Sequence, residues 1–205
     1  MFKEIFEILE KLEKQSSLEK SRQITVPSDE RMLAITKETG ELLNMIIRLK
    51  NAKNMLEVGM SVGYSTIWCA EAISENGGKI ITIEQNQKKI KRAKENFQDA
   101  NVSEHITIQE GLAMQILRDF SLKEEYKEYF DFVLIDADKE NVIEYFDMIL
   151  PMVSLGGVII TDNMLYPEKY REDMKKYSSH IQANQKVRTI TSPIGNGEEI
   201  TIKLR

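Results

Sequence analysis

The sequence predicts an α/β fold: a mostly parallel sheet with helices on both faces, closed at one edge by an antiparallel hairpin. Three observations predict it. From residue 54 to about 165, short apolar runs bounded by turn residues alternate with longer amphipathic stretches. That β-α-β-α rhythm belongs to parallel strands joined by helical crossovers. The rhythm then changes to one helix followed by two strand-like runs around a glycine-rich turn, as a hairpin requires. The 205 residues also hold no repeat, no low-complexity tract and no linker long enough to divide domains. One domain is therefore expected over 1–205.

The elements follow in order. Residues 2–14 place Phe2, Ile5, Phe6, Ile8, Leu9 and Leu12 at helical spacing, with lysine and glutamate between them. This segment reads as a helical extension (1–26) of a core spanning 27–205, and its apolar stripe needs a partner in its own domain or in another subunit. Pro27 and Ser28 announce a second helix, with Ser28 as N-cap and Asp29 and Glu30 in the first turn; Arg31 stands where a capping box would place Glu. Strands are expected at Met55–Val58, Lys79–Glu84, His105–Gln109, Phe132–Asp136 and Val158–Thr161, with helices near 64–75, 87–100, 112–119 and 140–151. A helix near 168–182 precedes strands at 186–191 and 199–204, separated by the turn Pro193-Ile194-Gly195-Asn196-Gly197. The total is seven strands.

Composition narrows the function classes. The chain is 41% hydrophobic and 30% charged, ordinary for a soluble globular protein. A net charge of -5 lacks the basic footprint of a dedicated nucleic-acid binder. The opening residues are charged every few positions, so they form neither a signal peptide nor a membrane span, and a cytoplasmic location is expected. The single cysteine, Cys69, excludes a disulfide framework and a cysteine-based zinc site. His105 and His180 stand isolated and read as structural or solvated.

Four constellations carry chemistry. In Leu56-Glu57-Val58-Gly59-Met60-Ser61-Val62-Gly63-Tyr64-Ser65-Thr66 a strand ends at Gly59 and a helix begins near Tyr64. Glycines there let the backbone approach a ligand. The middle glycine of a dinucleotide fingerprint is missing and so is a P-loop lysine, so a pyrophosphate cradle is poorly supported. Glu57 would repel a phosphate and attract a cationic ligand. The second strand ends in Glu84, where a carboxylate can accept the ribose hydroxyls of a nucleoside. Gly111-Leu112-Ala113, after the third strand, offers small residues beside which an adenine ring fits. The strongest signal is a pair of strand ends: Phe132-Val133-Leu134-Ile135-Asp136-Ala137-Asp138-Lys139 and Val158-Ile159-Ile160-Thr161-Asp162-Asn163. Ligand sites in open α/β sheets lie beyond such carboxyl ends, where Asp136, Asp162 and Asn163 would converge. Two carboxylates and an amide are hard oxygen ligands, suited to Mg2+ or calcium-like ions with waters in the remaining positions, and unsuited to zinc.

These residues resemble the metal-dependent O-methyltransferases typified by catechol and caffeoyl-CoA O-methyltransferases, and in particular their small bacterial and archaeal relatives. The likeness runs from about Pro27 to the C-terminus and rests on LEVGMSVGYST, TIE, FVLIDADKEN, VIITDNMLY and SPIGNGEEITI. It implies a Rossmann-like class I methyltransferase fold, S-adenosylmethionine as methyl donor and a divalent cation, Mg2+. Cofactor contacts are expected from Glu57, Gly59, Gly63, Tyr64, Ser65, Glu84, Gly111, Ala113 and Asp136. The resemblance assigns Asp136, Asp162 and Asn163 to the metal and Lys139 to the catalytic base, and it implies a homodimer. Met60, after Gly59, departs from the small or hydroxyl residue usual there in relatives, which puts cofactor packing in question; Tyr166 and Asn196 also depart, and together these sites put the acceptor in question. A catechol-like small molecule is the first expectation. A hydroxylated uridine in transfer RNA is the second, with Lys88, Lys89, Lys91, Arg92, Lys175, Lys176 and Arg188 as phosphate contacts. A non-catalytic nucleotide-binding scaffold on the same fold is a third, against which the Asp136/Lys139/Asp162/Asn163 set argues.

Overall fold

The computed structural model describes residues 2–205. Its strands are β1 (Asn54–Val58), β2 (Lys79–Glu84), β3 (Ile106–Glu110), β4 (Phe130–Ile135), β5 (Val153–Thr161), β6 (Val187–Ser192) and β7 (Glu198–Lys203). They form one sheet in the order β3-β2-β1-β4-β5-β7-β6. The pairs among β1 to β5 are parallel; β7 runs antiparallel to β5 and to β6. The expected hairpin therefore closes the edge with β7 inside and β6 outside. Strand order reverses between β1 and β4, which opens a crevice beyond their carboxyl ends, the usual place for a ligand in such a sheet.

Seven helices cover it: α1 (Phe2–Lys20), α2 (Lys37–Lys50), α3 (Tyr64–Glu75), α4 (Gln87–Asp99), α5 (Ala113–Ser121), α6 (Val142–Ile149) and α7 (Arg171–Gln182). The period-two alternation of the strands sorts them into two layers. Met55, Ile80, Phe132, Leu134 and Ile160 face a core shared with α1 to α4. Leu56, Val58, Ile83, Val133, Ile135 and Ile159 face a second core shared with α5 to α7. Buried on both faces, the central strands can be apolar throughout. No helix among the described residues is long and apolar enough to cross a membrane.

The α1 stripe docks on its own domain. Ile5, Leu9 and Leu12 are buried in the first core, and Glu13 accepts a hydrogen bond of 2.8 Å from the Tyr64 hydroxyl. Phe6 stays half exposed and meets Trp68 edge-on. The Phe2 side chain, expected in that stripe, lies outside the described residues.

The second helix starts later than Ser28. Its N-cap is Thr36, whose hydroxyl accepts from the Thr39 N–H, and residues 31–36 are non-helical. The reason is tertiary. The Met32 N–H is bound by buried Glu19 at 2.7 Å and the Leu33 N–H by Ser61 Oγ at 3.3 Å, so these donors are spent outside any helix. The fourth strand likewise ends at Ile135, leaving Asp136 just beyond it, and His105 ends a short 3-10 turn before β3 begins.

Truncating the α1 stripe tests its docking. Leu9→Ala should destabilise the protein by about 2–5 kcal/mol, the usual cost of a leucine-sized core cavity. Chemical denaturation would measure it; an unchanged midpoint would mean that α1 does not share the core.

Candidate functional site

Sheet geometry brings the acidic residues together. On the face covered by α1 to α4, β1 presents Glu57, the strand end of β4 presents Asp136, and that of β5 presents Asp162. Each lies an even number of residues from Met55, Phe132 or Ile160, which face the same core. Backbone bonds lock the ends in register: Asp136 N–H to Val58 O at 2.8 Å, and Asp162 N–H to Ile135 O at 3.2 Å.

The loop after β1 is shaped by positive φ at Gly59 (99°), Ser61 (51°) and Gly63 (88°). The close approach that its glycines permit is to the protein itself. A Cβ on Gly59 would strike the Asp136 carbonyl oxygen, and one on Gly63 would strike the Phe97 ring. Gly63 is the N-cap of α3 and supplies no side-chain bond, nor does the first turn hold an acid. The first-turn N–H groups of α3 thus suit an anionic group such as a carboxylate.

Two expected cofactor contacts are placed differently. Glu57 is fully buried. It accepts from Ser65 Oγ (2.6 Å), Thr66 Oγ1 (2.5 Å) and Thr82 Oγ1 (2.5 Å), so it fastens the start of α3 onto β1 and β2 instead of facing a ligand. Thr82 is its register partner on β2. Burial raises its pKa, and the three hydroxyls oppose that rise. Tyr64 is buried too, its hydroxyl committed to Glu13. Met60 is buried in the core, so its bulk is taken up by the protein interior.

Glu84 ends β2 as expected and remains partly accessible. Its Oε2 accepts from the Ser61 N–H at 2.8 Å, and its Oε1 from the Gln85 and Asn86 N–H groups at 3.0 and 2.9 Å. These bonds fix the carboxylate against the β1–α3 loop. Gly111, with φ of 151°, and Ala113 at the start of α5 flank the end of β3. Leu112 between them is half exposed and gives that end an apolar wall.

The second half of the site is charged. Lys139 is 5% exposed, and its Nζ lies 3.2 Å from Asp136 Oδ1. Burial pushes Asp136 up to about 7, against the pull of the Lys139 ammonium. Burial also raises Asp162, again opposed by Lys139. Asn163 adopts φ of 69°, uncommon for a residue with a side chain, and its N–H donates to Asp162 Oδ1 at 2.6 Å. The chemistry of this set fits a hard divalent cation. Asp136, Asp162 and Asn163 offer oxygen donors alone, and burial leaves both carboxyls short of positive charge. Among the described residues no three His, Cys, Asp or Glu side chains converge on one point. Two carboxylates and one amide oxygen are therefore the donors at hand, leaving positions for water or acceptor oxygens.

Sequence reasoning missed Glu198. It is fully buried, and burial together with the Asp162 carboxylate raises its pKa. Its Oε1 accepts from Thr39 Oγ1 at 2.8 Å. The signal lay in the register: Thr161 pairs with Glu199, so the next pair across β5 and β7 is Asp162 and Glu198. Segment 164–166 forms the rim, pinned by the Leu165 and Tyr166 N–H groups on Asn196 O and exposing both side chains. Both histidines have local partners: His180 Nε2 lies 2.8 Å from Asp147 Oδ1 on the surface, and His105 Nδ1 lies 3.2 Å from the Gly78 carbonyl oxygen. A cavity of about 400 Å³ lined by Leu122, Lys127, Met152 and Lys203 lies at the opposite ends of the strands, away from these carboxyls.

Comparison with known proteins identifies the family. The O-methyltransferase family model matches residues 9–203. Caffeoyl-CoA O-methyltransferase 1 of Zea mays is 30% identical over 196 residues, which cover 88% of this chain and 76% of that protein. The crystal structure of the O-methyltransferase from Bacillus cereus in complex with SAH superposes with a TM-score of 0.78 at 26% identity, over 96% of this chain and 90% of that one. TomG, an O-methyltransferase from Streptomyces achromogenes in complex with SAM, gives 0.74 at 26% identity, over 84% and 82%. With nearly its whole length matched and its seven-stranded sheet shared, the chain belongs to the O-methyltransferase family.

Proposed function

We propose that the protein transfers the methyl group of S-adenosylmethionine to a hydroxyl of a catechol-like small molecule at a divalent-cation site. One observation carries the reading: Asp136, Asp162 and Asn163 meet at adjoining strand ends beside buried Lys139. The SAH and SAM complexes of the Bacillus cereus and Streptomyces achromogenes enzymes support the choice of donor. The β1–α3 loop and the uncapped start of α3 would receive its methionine end, and Glu84 its ribose. Mg2+ suits the oxygen donors; when bound it supplies Lewis acidity that lowers the acceptor hydroxyl's pKa and fixes its direction.

The chain's own residues do the rest. Lys139 Nζ, buried beside Asp136, would act as the neutral amine: its own ammonium proton would first pass to solvent, and the amine would then take the acceptor proton. With the donor bound, the acceptor oxygen would attack the methyl carbon, the C–O bond forming as the S–C bond breaks, and a neutral thioether would leave. Fixed geometry of this kind is worth roughly 7–11 kcal/mol in well-oriented systems. Leu165 and Tyr166 at the rim provide apolar and aromatic surface for a flat phenol.

Charge pairing supports a small acceptor over transfer RNA. Lys88 is bound to Asp29 and Glu30, Lys175 to Glu172 and Lys176 to Asp173. Lys89 is buried, and Arg92 is turned onto the Glu30 carbonyl.

Labelled S-adenosylmethionine, offered with a catechol panel or hypomodified transfer RNA, tests the reading. Label should enter a catechol with Mg2+ and not with chelator; label in RNA alone would overturn the acceptor class. Lys139→Ala should lower kcat by about 10²–10⁴-fold, the usual worth of a general base. Its affinity for S-adenosylmethionine, measured by calorimetry, should stay unchanged; an unaltered kcat would remove Lys139 from the base role. The Asp136 shift sets a pH dependence. Between its ordinary pKa near 3.9 and about 7, the folded protein holds a proton that the unfolded chain has lost. Metal-free stability should therefore fall as pH rises through that window. Mn2+ binding must displace the proton, so affinity should drop about tenfold per pH unit below about 7. A pH-independent Kd would refute Asp136 as a ligand.

A further inference from the structure

We infer that Glu198 is a third carboxylate ligand of the cation site, an inference that rests on the metal reading above. The register places it opposite Asp162, on the face that also carries Asp136. Side chains opposite one another on paired strands have Cβ atoms about 4.5–5.5 Å apart. Two facing carboxylates repel, and burial strengthens the repulsion. Only a shared proton or a cation can hold them there.

The two oxygens of Glu198 are treated differently. Thr39, fully buried in the first turn of α2, fixes Oε1 at 2.8 Å. Among the described residues Oε2 is buried and has no hydrogen-bond donor. The N-cap pair Thr36 and Thr39, 3.2 Å apart, backs this anchor. Gly195 is required beneath it, because a Cβ there would strike Thr39 Oγ1. The chain thus holds one oxygen of a buried acid rigidly and leaves the other without a partner. The three carboxyls do not yet converge; a rotation that swings Oε2 inward brings Glu198 to the ion that Asp136 and Asp162 share. The third carboxylate strengthens retention of the ion and replaces one water in its coordination shell.

The test uses the full chain with Mn2+ alone, at fixed pH, reading affinity by calorimetry and inner-sphere hydration by water-proton relaxation. Glu198→Gln keeps the shape and lets the amide donate to Asp162. Its Kd for Mn2+ should rise at least tenfold, and its bound Mn2+ should carry one more water than wild type. Asp162→Asn should also weaken binding. If wild type and Asp162→Asn bind Mn2+ but Glu198→Gln matches wild type in both readouts, the inference fails and the metal reading stands. Weaker binding with unchanged hydration would make Glu198 a positioning residue for Asp162 and overturn direct ligation. If wild type binds no Mn2+, both readings fail. Should Glu198→Gln lack a cooperative melt, Glu198→Asp replaces it. That variant keeps the charge but withdraws it by one methylene, and the same two changes are expected.

Discussion

A row of acids along one face of the sheet, buried except for the partly exposed Asp136, is the constraint on which the site depends. Glu57, Asp136, Asp162 and Glu198 stand at or just beyond the ends of β1, β4, β5 and β7, all turned toward the layer of α1 to α4. Removing a carboxylate from water costs several kcal/mol unless hydrogen bonds or opposite charge compensate. The chain compensates each differently. Glu57 receives three hydroxyls, Asp136 the Lys139 ammonium, Asp162 a backbone N–H, and Glu198 a single threonine. Glu57 is the most fully satisfied of the four, whereas Glu198 keeps one oxygen without a donor.

Much of the remaining architecture keeps this row in place. The Thr36–Thr39 start of α2 holds Glu198, and the 193–197 turn packs against it through Gly195. Gly59 allows the β1–α3 loop to lie against the Asp136 carbonyl, so the cofactor loop and the acidic strand end are built as one unit. Glu84 ties the same loop to β2. The segment between α1 and α2 is drawn over it by Glu19 and Ser61. Two non-glycine residues with positive φ, Ser61 and Asn163, fall in this region. Backbone conformations of that kind persist only where surrounding contacts enforce them.

The family relationship fixes the reaction class and not the acceptor. Leu165 and Tyr166 stand exposed, and Asn196 acts through its carbonyl by holding their backbone. The Met60 side chain points into the core.

The sequence by itself determined the seven strands, the crossover helices and the acids at the strand ends. The periods of 2 and 3.6 and the turn residues are local, which is why 64–75 and 79–84 are read to the residue. The motifs also located Asp136, Lys139, Asp162 and Asn163, because adjoining strand ends bring such residues together in any sheet of this order. Tertiary structure decided what depends on neighbours distant in sequence. Ser28 reads as a helix cap, yet distant acceptors claim the N–H groups that follow and move the start to Thr36. Glu57 and Tyr64 read as ligand contacts until Thr82 and Glu13 take their polar atoms. Glu198 had no readable role because its partner, Asp162, is set by the antiparallel register of β5 and β7. Local pattern encodes which face a side chain takes; only the packed chain determines which polar group waits there.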